Sequence, residues 1–553
     1  MPCVLGLDAG TSSIKAVLVT IDGTGAATVE ASHTQPLSPP TSGSGALMPG
    51  VSEMDASMWW EAALTAINHV LLQPTVKGKM VDCITLSGQM QSTLLIQQDG
   101  TPLRPALIYS DTRARGEAAQ IEESIGHKRL KRELTNWKGA ASTLAKLAWL
   151  LKHDADAIER CAAVCLSAHE YLYYRLTGRV MTDATNASVT GLLQKDATEL
   201  AWAAALLRDA GVPQSLIDKL PPIGRGAVLL APLSTTAATS LSSGASTCVS
   251  AGATRVCLGS GDLGSTTVGA LGTALVSHAP APHASTYCST YCYLGTSGWV
   301  ATVRSESDAA KCEAFRVSHP TSASMSIIAA PMTTAGGNVR WLCRLLYPGL
   351  PEAEALAAFE AEAAAAPPTC DGLLYLPYLQ GERCPVNDPN AKACFVGLGP
   401  ETTRAHMCRA VLEGICFAVR SLLPLLPAEE ATSTLPPLVL VGGVANSKVF
   451  VETLADVLQR EIRVSPSPSH VPALGAAAIA LAALAEAVDG EEGAVDVAEP
   501  PPSTSSTSSP TFESYQPEPN LERTYDAAHK RFCTLHPSLS ETFSRTSALP
   551  TTQ

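Results

Sequence analysis

Asp8 closes the apolar run Val4-Leu5-Gly6-Leu7 and is followed by Ala9-Gly10-Thr11-Ser12-Ser13-Ile14-Lys15, after which a second apolar run begins. A carboxylate at such a place can hold Mg2+, directly or through water. The turn of Gly10, Thr11, Ser12 and Ser13 offers backbone N–H groups and hydroxyls to phosphate oxygens, with no bulky side chain to keep them away. Lys15 supplies a cation at the same spot. Standing alone, the motif reads equally as a turn aspartate capping its own loop. It has a second copy, however: Tyr291-Cys292-Tyr293-Leu294 runs into Gly295-Thr296-Ser297-Gly298 and out through Trp299-Val300-Ala301-Thr302-Val303. Two units of strand, Gly-Thr-Ser turn and strand in one chain suggest two hands around one polyphosphate.

Asp262 lies in Leu258-Gly259-Ser260-Gly261-Asp262-Leu263-Gly264, where small neighbours leave its carboxylate room to meet a hydroxyl. It could accept the proton as that oxygen attacks phosphorus. Gly-Ser-Gly-Asp is also a common structural turn; its position between the two halves favours the catalytic reading. Ser87-Gly88-Gln89-Met90-Gln91-Ser92 ends a predicted strand with amides able to bond sugar hydroxyls, or is a plain polar loop. In Leu440-Val441-Gly442-Gly443-Val444-Ala445-Asn446-Ser447 a strand, a glycine turn and a helix start fit a backbone that approaches a nucleotide. Gly336-Gly337-Asn338 followed by Trp341 offers a second nucleotide wall, with Trp341 equally suited to core packing.

These residues need a frame. At 553 residues the chain exceeds one hydrophobic core, so two domains of similar size are expected. With 46% hydrophobic and 16% charged residues it is globular, and a net charge of -13 disfavours nucleic acid or an anionic membrane as main partner. Small metabolites remain. The 16 cysteines are scattered through apolar runs without a CxxC pair, the pattern of reduced, buried thiols; packing is favoured over a metal site for Cys161/Cys165 and Cys288/Cys292. There is no charged-then-apolar leader, the stretch from Ala473 to Ala485 looks too short to cross a bilayer, and the last residues are not a peroxisomal address; a cytoplasmic location is expected.

Strands are predicted at 81–86, 93–97, 106–109, 256–258 and 438–441, and helices around Trp59 and Trp60, at 144–152, at 352–366 up to Pro367-Pro368, and at 474–487. An Asp22-Gly23 turn and a Ser/Pro/Gly loop at 38–45 connect the early strands, and 233–250 shows no firm periodicity. Alternating strands and helices make both halves α/β. The expected division is 1–252 and 253–540, with an acidic, Ser/Pro-rich disordered insertion at 489–511, a docking helix beyond it, and a flexible tail at 541–553.

With these pieces in order the chain resembles the FGGY carbohydrate kinases, and within them the xylulokinase branch. The matching segments are Gly6-Leu7-Asp8-Ala9-Gly10-Thr11-Ser12, Ser87-Gly88-Gln89-Met90, Ala106-Leu107-Ile108-Tyr109-Ser110-Asp111-Thr112-Arg113, Tyr174-Arg175-Leu176-Thr177-Gly178 and Gly295-Thr296-Ser297-Gly298. The most specific is Leu376-Pro377-Tyr378-Leu379-Gln380-Gly381-Glu382-Arg383-Cys384-Pro385, followed by Gly397-Leu398 and Arg409-Ala410-Val411-Leu412-Glu413-Gly414. The resemblance implies two actin-like, ribonuclease-H-like domains flanking a deep cleft, and transfer of the γ-phosphoryl group of MgATP to a sugar hydroxyl, D-xylulose becoming D-xylulose 5-phosphate. Alternatives are a kinase of the same family for ribulose, sedoheptulose or glycerol, and a catalytically silent sugar or nucleotide sensor.

Carried over residue by residue, Asp262 is the general base and Asp8 organises magnesium and phosphates. Gly10 to Ser13 and Gly295 to Ser297 flank the phosphates, and Gly442, Gly443 and Asn446 contact adenosine. Met90 and Gln91 stand where the branch holds its ketose, usually with a Met-His pair, and Leu263 follows the base where Asn is common. Both departures fall in the sugar pocket. The implied partners are the sugar and MgATP, for a monomer or homodimer, and closure over sugar predicts slow ADP release without it.

Overall fold

The computed structural model describes the chain except residues 1, 22–26, 43–49, 77, 196–198, 242–247, 272–289, 310–313, 428–434, 492–511 and 548–553. The Asp22-Gly23 turn, Cys288, most of the 489–511 segment and residues 43–45 of the 38–45 segment therefore lie outside the described residues. Contacts divide the chain into one unit of 1–278, 316–325 and 472–509 and another of 279–315, 326–471 and 510–553.

The first unit is built on a six-stranded sheet of β1 (Cys3–Ala9), β2 (Ser13–Ile21), β3 (Ala27–Pro36), β4 (Cys83–Gly88), β5 (Leu230–Pro232) and β6 (Arg255–Gly261), in the order β5-β6-β4-β1-β2-β3. β1 and β2 form the antiparallel hairpin expected from the sequence, with Asp8 opposite Lys15. β4 runs parallel to β1, and β6 parallel to β4. Strands in such a position are covered on both faces, which is why β1 is a nearly unbroken apolar run.

Alternate side chains serve opposite faces. Leu5, Leu7 and Ala9 pack with the helix Ala56–Leu71, whose first turn is capped by Asp55 and which buries Trp59, Ala63 and Ile67. Val4 meets Ala477, Ala480 and Ala483 of the helix Val471–Glu491 instead. That helix sits very close: a Cβ on Gly6 would lie 2.8 Å from the Ala473 carbonyl oxygen, and one on Gly475 only 1.8 Å from that of Ser265. The small residues predicted at 474–487 are what allow this approach. One expectation is corrected here, because Val471–Val488 gives 18 residues of mean hydropathy 1.9, long and apolar enough to cross a bilayer by length and composition. Half of that stretch is buried against the protein, and its packing accounts for its composition.

The second unit carries β7 (Thr290–Leu294), β8 (Gly298–Ser305), β9 (Met325–Met332), β10 (Leu438–Val441), β11 (Ile462–Val464) and β12 (Glu513–Tyr515), in the order β9-β8-β7-β10-β11-β12. It repeats the plan of the first. The β7/β8 hairpin is antiparallel, β10 is parallel to β7, β11 is parallel to β10, and an antiparallel strand closes that edge. Behind the sheet the helix Arg404–Leu422 is buried along most of its length.

Three boundaries differ from expectation. The division at 252/253 falls too early, because β6 finds its partner in β4 and the helix Asp262–Leu271 follows it within the first unit. The stretch 233–250 contains a short helix, Thr235–Ser240, capped by Ser234. The tail does not begin at 541: the last helix runs Glu522–Ser547, and Phe543 is buried in the second core.

Candidate active site

Three parallel strands of the first unit end level. Asp8 of β1 is in register with Ser87 of β4, Ser87 with Ser260 of β6, and Gly88 with both Ala9 and Gly261. The carboxyl ends of parallel strands are where open α/β sheets hold ligands. Asp8 and Ser260, two residues before Asp262, flank the central strand two strand spacings or about 10 Å apart. Gly88 makes the close ending possible, since a Cβ there would sit 2.8 Å from the Ala9 carbonyl oxygen. The same oxygen accepts the N–H of Gln89 at 2.8 Å.

Asp8 is buried, and burial raises its carboxyl above the ordinary value, with the charges of Lys15 and His169 working the other way. A carboxylate so placed favours a cation in front of it. The turn beyond is closed by Gly10 N–H to the Ser13 carbonyl at 3.0 Å, with Thr11 Oγ1 at 3.4 Å from Gln89 Oε1 and Ser12 exposed. Asp262 opens the helix Asp262–Leu271, and its Oδ1 accepts the Leu263 N–H at 2.8 Å, which fixes the carboxylate. The Leu263 side chain is buried.

Met90 is buried with its thioether over Gly261, where a Cβ would lie 2.6 Å from Sδ. Gln91 has φ +60° and donates its side-chain amide to the Val189 carbonyl. Of its side-chain polar atoms, Oε1 is the one that this bond does not use.

Beneath these residues lies a buried polar cluster that sequence reasoning missed. His169 Nε2 is 2.9 Å from Asp183 Oδ2, and Asp183 Oδ1 accepts the Asn186 N–H at 3.0 Å and the Ser260 hydroxyl at 3.1 Å. Glu170 accepts from Leu166 N–H at 2.7 Å and from Thr182 Oγ1 and Asn186 Nδ2, both at 2.5 Å. His169, Glu170 and Asp183 could in geometry hold a metal; the bonds of the two carboxylates belong to a polar core, while His169 Nδ1 is buried with no hydrogen-bond partner among the described residues. Burial disfavours a charged His169, yet the carboxylates of Asp183, Glu170 and Asp262 outweigh it and raise its pKa. Burial pushes Glu170 up to about 7. The signal was present as Ser167-x-x-Glu170 and Asp183-x-x-Asn186, two helix starts whose caps accept from Glu170 N–H and Asn186 N–H.

In the second unit the matching turn is closed by Gly295 N–H to the Ser297 carbonyl at 2.9 Å. The helix Gly336–Leu346 starts directly on it, with Gly336 N–H on the Gly295 carbonyl at 2.9 Å and Gly337 N–H on that of Thr296 at 3.1 Å. A Cβ on Gly336 would meet the Gly295 carbonyl oxygen at 2.7 Å, and one on Gly442, at φ +98°, the Leu294 carbonyl oxygen at 2.4 Å. Gly443 faces open space. Asn446 Nδ2 donates to the Gly443 carbonyl and to Ser469 Oγ, both at 3.0 Å, and lines a cavity of about 440 Å3 with Lys448, Pro466 and Tyr515. Trp341 takes the packing role of its two readings: it lies against the core with its ring stacked on Tyr375.

The Glu382-Arg383 motif braces the approach to that helix. Glu382 is buried and accepts Thr333 N–H at 2.6 Å and Arg383 N–H at 2.7 Å, while Arg383 donates to the Met332 carbonyl at 3.0 Å. Burial pushes the Glu382 carboxyl up to about 7.

A family model described as "FGGY family of carbohydrate kinases, N-terminal domain" matches residues 3–259, and its C-terminal counterpart matches 290–484. The chain is 27% identical over 481 residues to the xylulose kinase of Staphylococcus xylosus, covering 87% of this chain and 90% of that one. It is 28% identical over 483 residues to the xylulose kinase of Bacillus subtilis, covering 87% and 88%. Among solved structures, the xylulose kinase of Rhodospirillum rubrum superposes with a TM-score of 0.70 at 25% identity, over 98% of this chain and 100% of that one.

Proposed function

The chain belongs to the FGGY family of carbohydrate kinases, and from that premise we propose that it transfers the γ-phosphoryl group of MgATP to D-xylulose, giving D-xylulose 5-phosphate. The observation that carries the reading is the level ending of β1, β4 and β6, which sets Asp8 and Asp262 on either side of the Ser87-Gly88 strand end. Little covalent chemistry is asked of the protein in phosphoryl transfer; alignment and charge are.

In this reading Asp262, held by the Leu263 N–H, accepts the proton of the attacking sugar hydroxyl. The loop from Ser87 to Ser92 places that hydroxyl, with Met90 forming an apolar wall and Gln91 offering an acceptor oxygen. Asp8 fits Mg2+, being a buried carboxylate beside a turn free of bulky side chains. When bound, the ion neutralises charge on the phosphate oxygens. Gly10 to Ser13 and Lys15 are assigned to the phosphates, as are Gly295 to Ser297, where the N–H groups of Gly295, Gly336 and Gly337 close the turn and seat the helix that follows it. Gly442, Gly443 and Asn446 border the adenosine, for which the cavity beside Asn446 has room. The relatives that share these motifs carry the name xylulose kinase, which supports the choice of sugar.

A coupled ADP assay over D-xylulose, D-ribulose, sedoheptulose and glycerol tests the proposal. The highest kcat/KM is expected for D-xylulose; a higher value for any other member replaces the substrate, and sugar-independent ADP formation throughout removes the kinase reading.

A further inference from the structure

The steps above leave unused a lysine buried beneath the Ser87–Ser92 loop. Lys146, on the helix Thr143–His153, has no exposed surface, and its Nζ donates to two main-chain carbonyls, Ile108 at 2.8 Å and Gln91 at 3.1 Å. Burying an ammonium on neutral acceptors is costly, and an apolar chain of similar length would fill the same space without that cost. Burial pulls the pKa of Lys146 down to about 7, with Asp111 opposing and Arg113 reinforcing the shift.

What the lysine grips is an unusual peptide. Gln91 adopts the left-handed backbone that non-glycine residues avoid. Its N–H donates to Asn186 Oδ1 at 3.2 Å, its side-chain amide to the Val189 carbonyl, and its own carbonyl accepts from Lys146. The helix Ala184–Val189 thus holds the residue from one side and the helix Thr143–His153 from the other. The preceding residue, Met90, packs over Gly261, the neighbour of Asp262.

We propose that Lys146 is a positioning residue for the sugar: by holding the Gln91 carbonyl it keeps Gln91 in its left-handed turn and so sets where the acceptor hydroxyl stands relative to Asp262. The inference rests on the assignment of Ser87 to Ser92 as the sugar loop. It also gives the polar atoms of Gln91 other than Oε1 a role in bracing the loop.

The test compares full-length Lys146→Met and Lys146→Gln with the wild-type chain. The KM for D-xylulose should rise at least about tenfold while the KM for ATP stays within about twofold and kcat within about threefold. Without sugar, deuterium uptake should rise in residues 87–92 while β1 and β2 exchange as before. A parallel rise of both KM values, or unchanged KM and unchanged uptake, overturns the proposal; the glutamine variant, which retains a donor, guards against loss of fold in the methionine one. A wild-type chain that forms no ADP in response to any sugar removes the kinase reading, and uptake at 87–92 then decides the role of Lys146 by itself.

Discussion

Asp262 and Asp8 differ in their surroundings, and the difference predicts their behaviour. Asp262 is partly open and its Oδ1 accepts the Leu263 N–H, so Asp262→Asn keeps that bond and the shape while losing proton acceptance. We expect kcat to fall about 10^2 to 10^4-fold, with ATP affinity by calorimetry within about twofold; wild-type turnover in this variant would place the base elsewhere. Glu382 makes a pH prediction. Its folded pKa, raised to about 7 by burial, exceeds the unfolded value, so the native state binds more protons and the stability it contributes fades as pH rises through 7. Glu382→Gln should therefore gain relative to wild type between pH 5 and 8, by at most about 3 kcal/mol, in urea unfolding; equal slopes for both proteins would contradict this. Asp8, Asp262 and the glycines could be read from the chain because their company of small and hydroxyl residues is local. His169 and Asp183 could not, because their meaning comes from meeting each other and Ser260 across more than one element.

At the level of elements, both hairpins were visible because their strands are joined by short turns and pair with each other. The strand at 438–441 was predicted to the residue. The boundary of the first unit was hidden because β6 pairs with β4, whose sequence lies far upstream, and nothing local in Val256-Cys257-Leu258 announces that partner. The helix Val471–Glu491 was legible as a close-packing element, but not which sheet it covers. Its glycine makes the prediction: Gly475→Ala places a methyl 1.8 Å from the Ser265 carbonyl oxygen. The helix must move away from the helix Asp262–Leu271, costing about 1–3 kcal/mol or more. A lowered Tm with weakened D-xylulose turnover is expected, and an unchanged Tm would show that the approach is looser than described.

On the scale of the molecule, each unit has its own sheet and its own core. The Ser87–Ser92 loop and both carboxylates belong to the first, and the Gly336, Gly442 and Asn446 cluster to the second. Scanning calorimetry should resolve two transitions, with D-xylulose raising the one that the Gly475 variant lowers and a non-hydrolysable ATP analogue raising the other. A ligand at a hundred times its Kd adds about 2.7 kcal/mol to the part that binds it. A single transition moved equally by either ligand would mean that the two cores melt as one.

The route of the chain has a price during synthesis. β1 is made long before the helix that covers one of its faces, which comes from 471–491, after the whole of the second sheet except its last strand. At about 5–20 residues per second the nascent first unit waits roughly 25 to 100 s with Val4, Val17 and Val19 uncovered. Such a chain should depend on holding factors while it is translated, and a message cut short anywhere before that helix should yield only sticky, short-lived product.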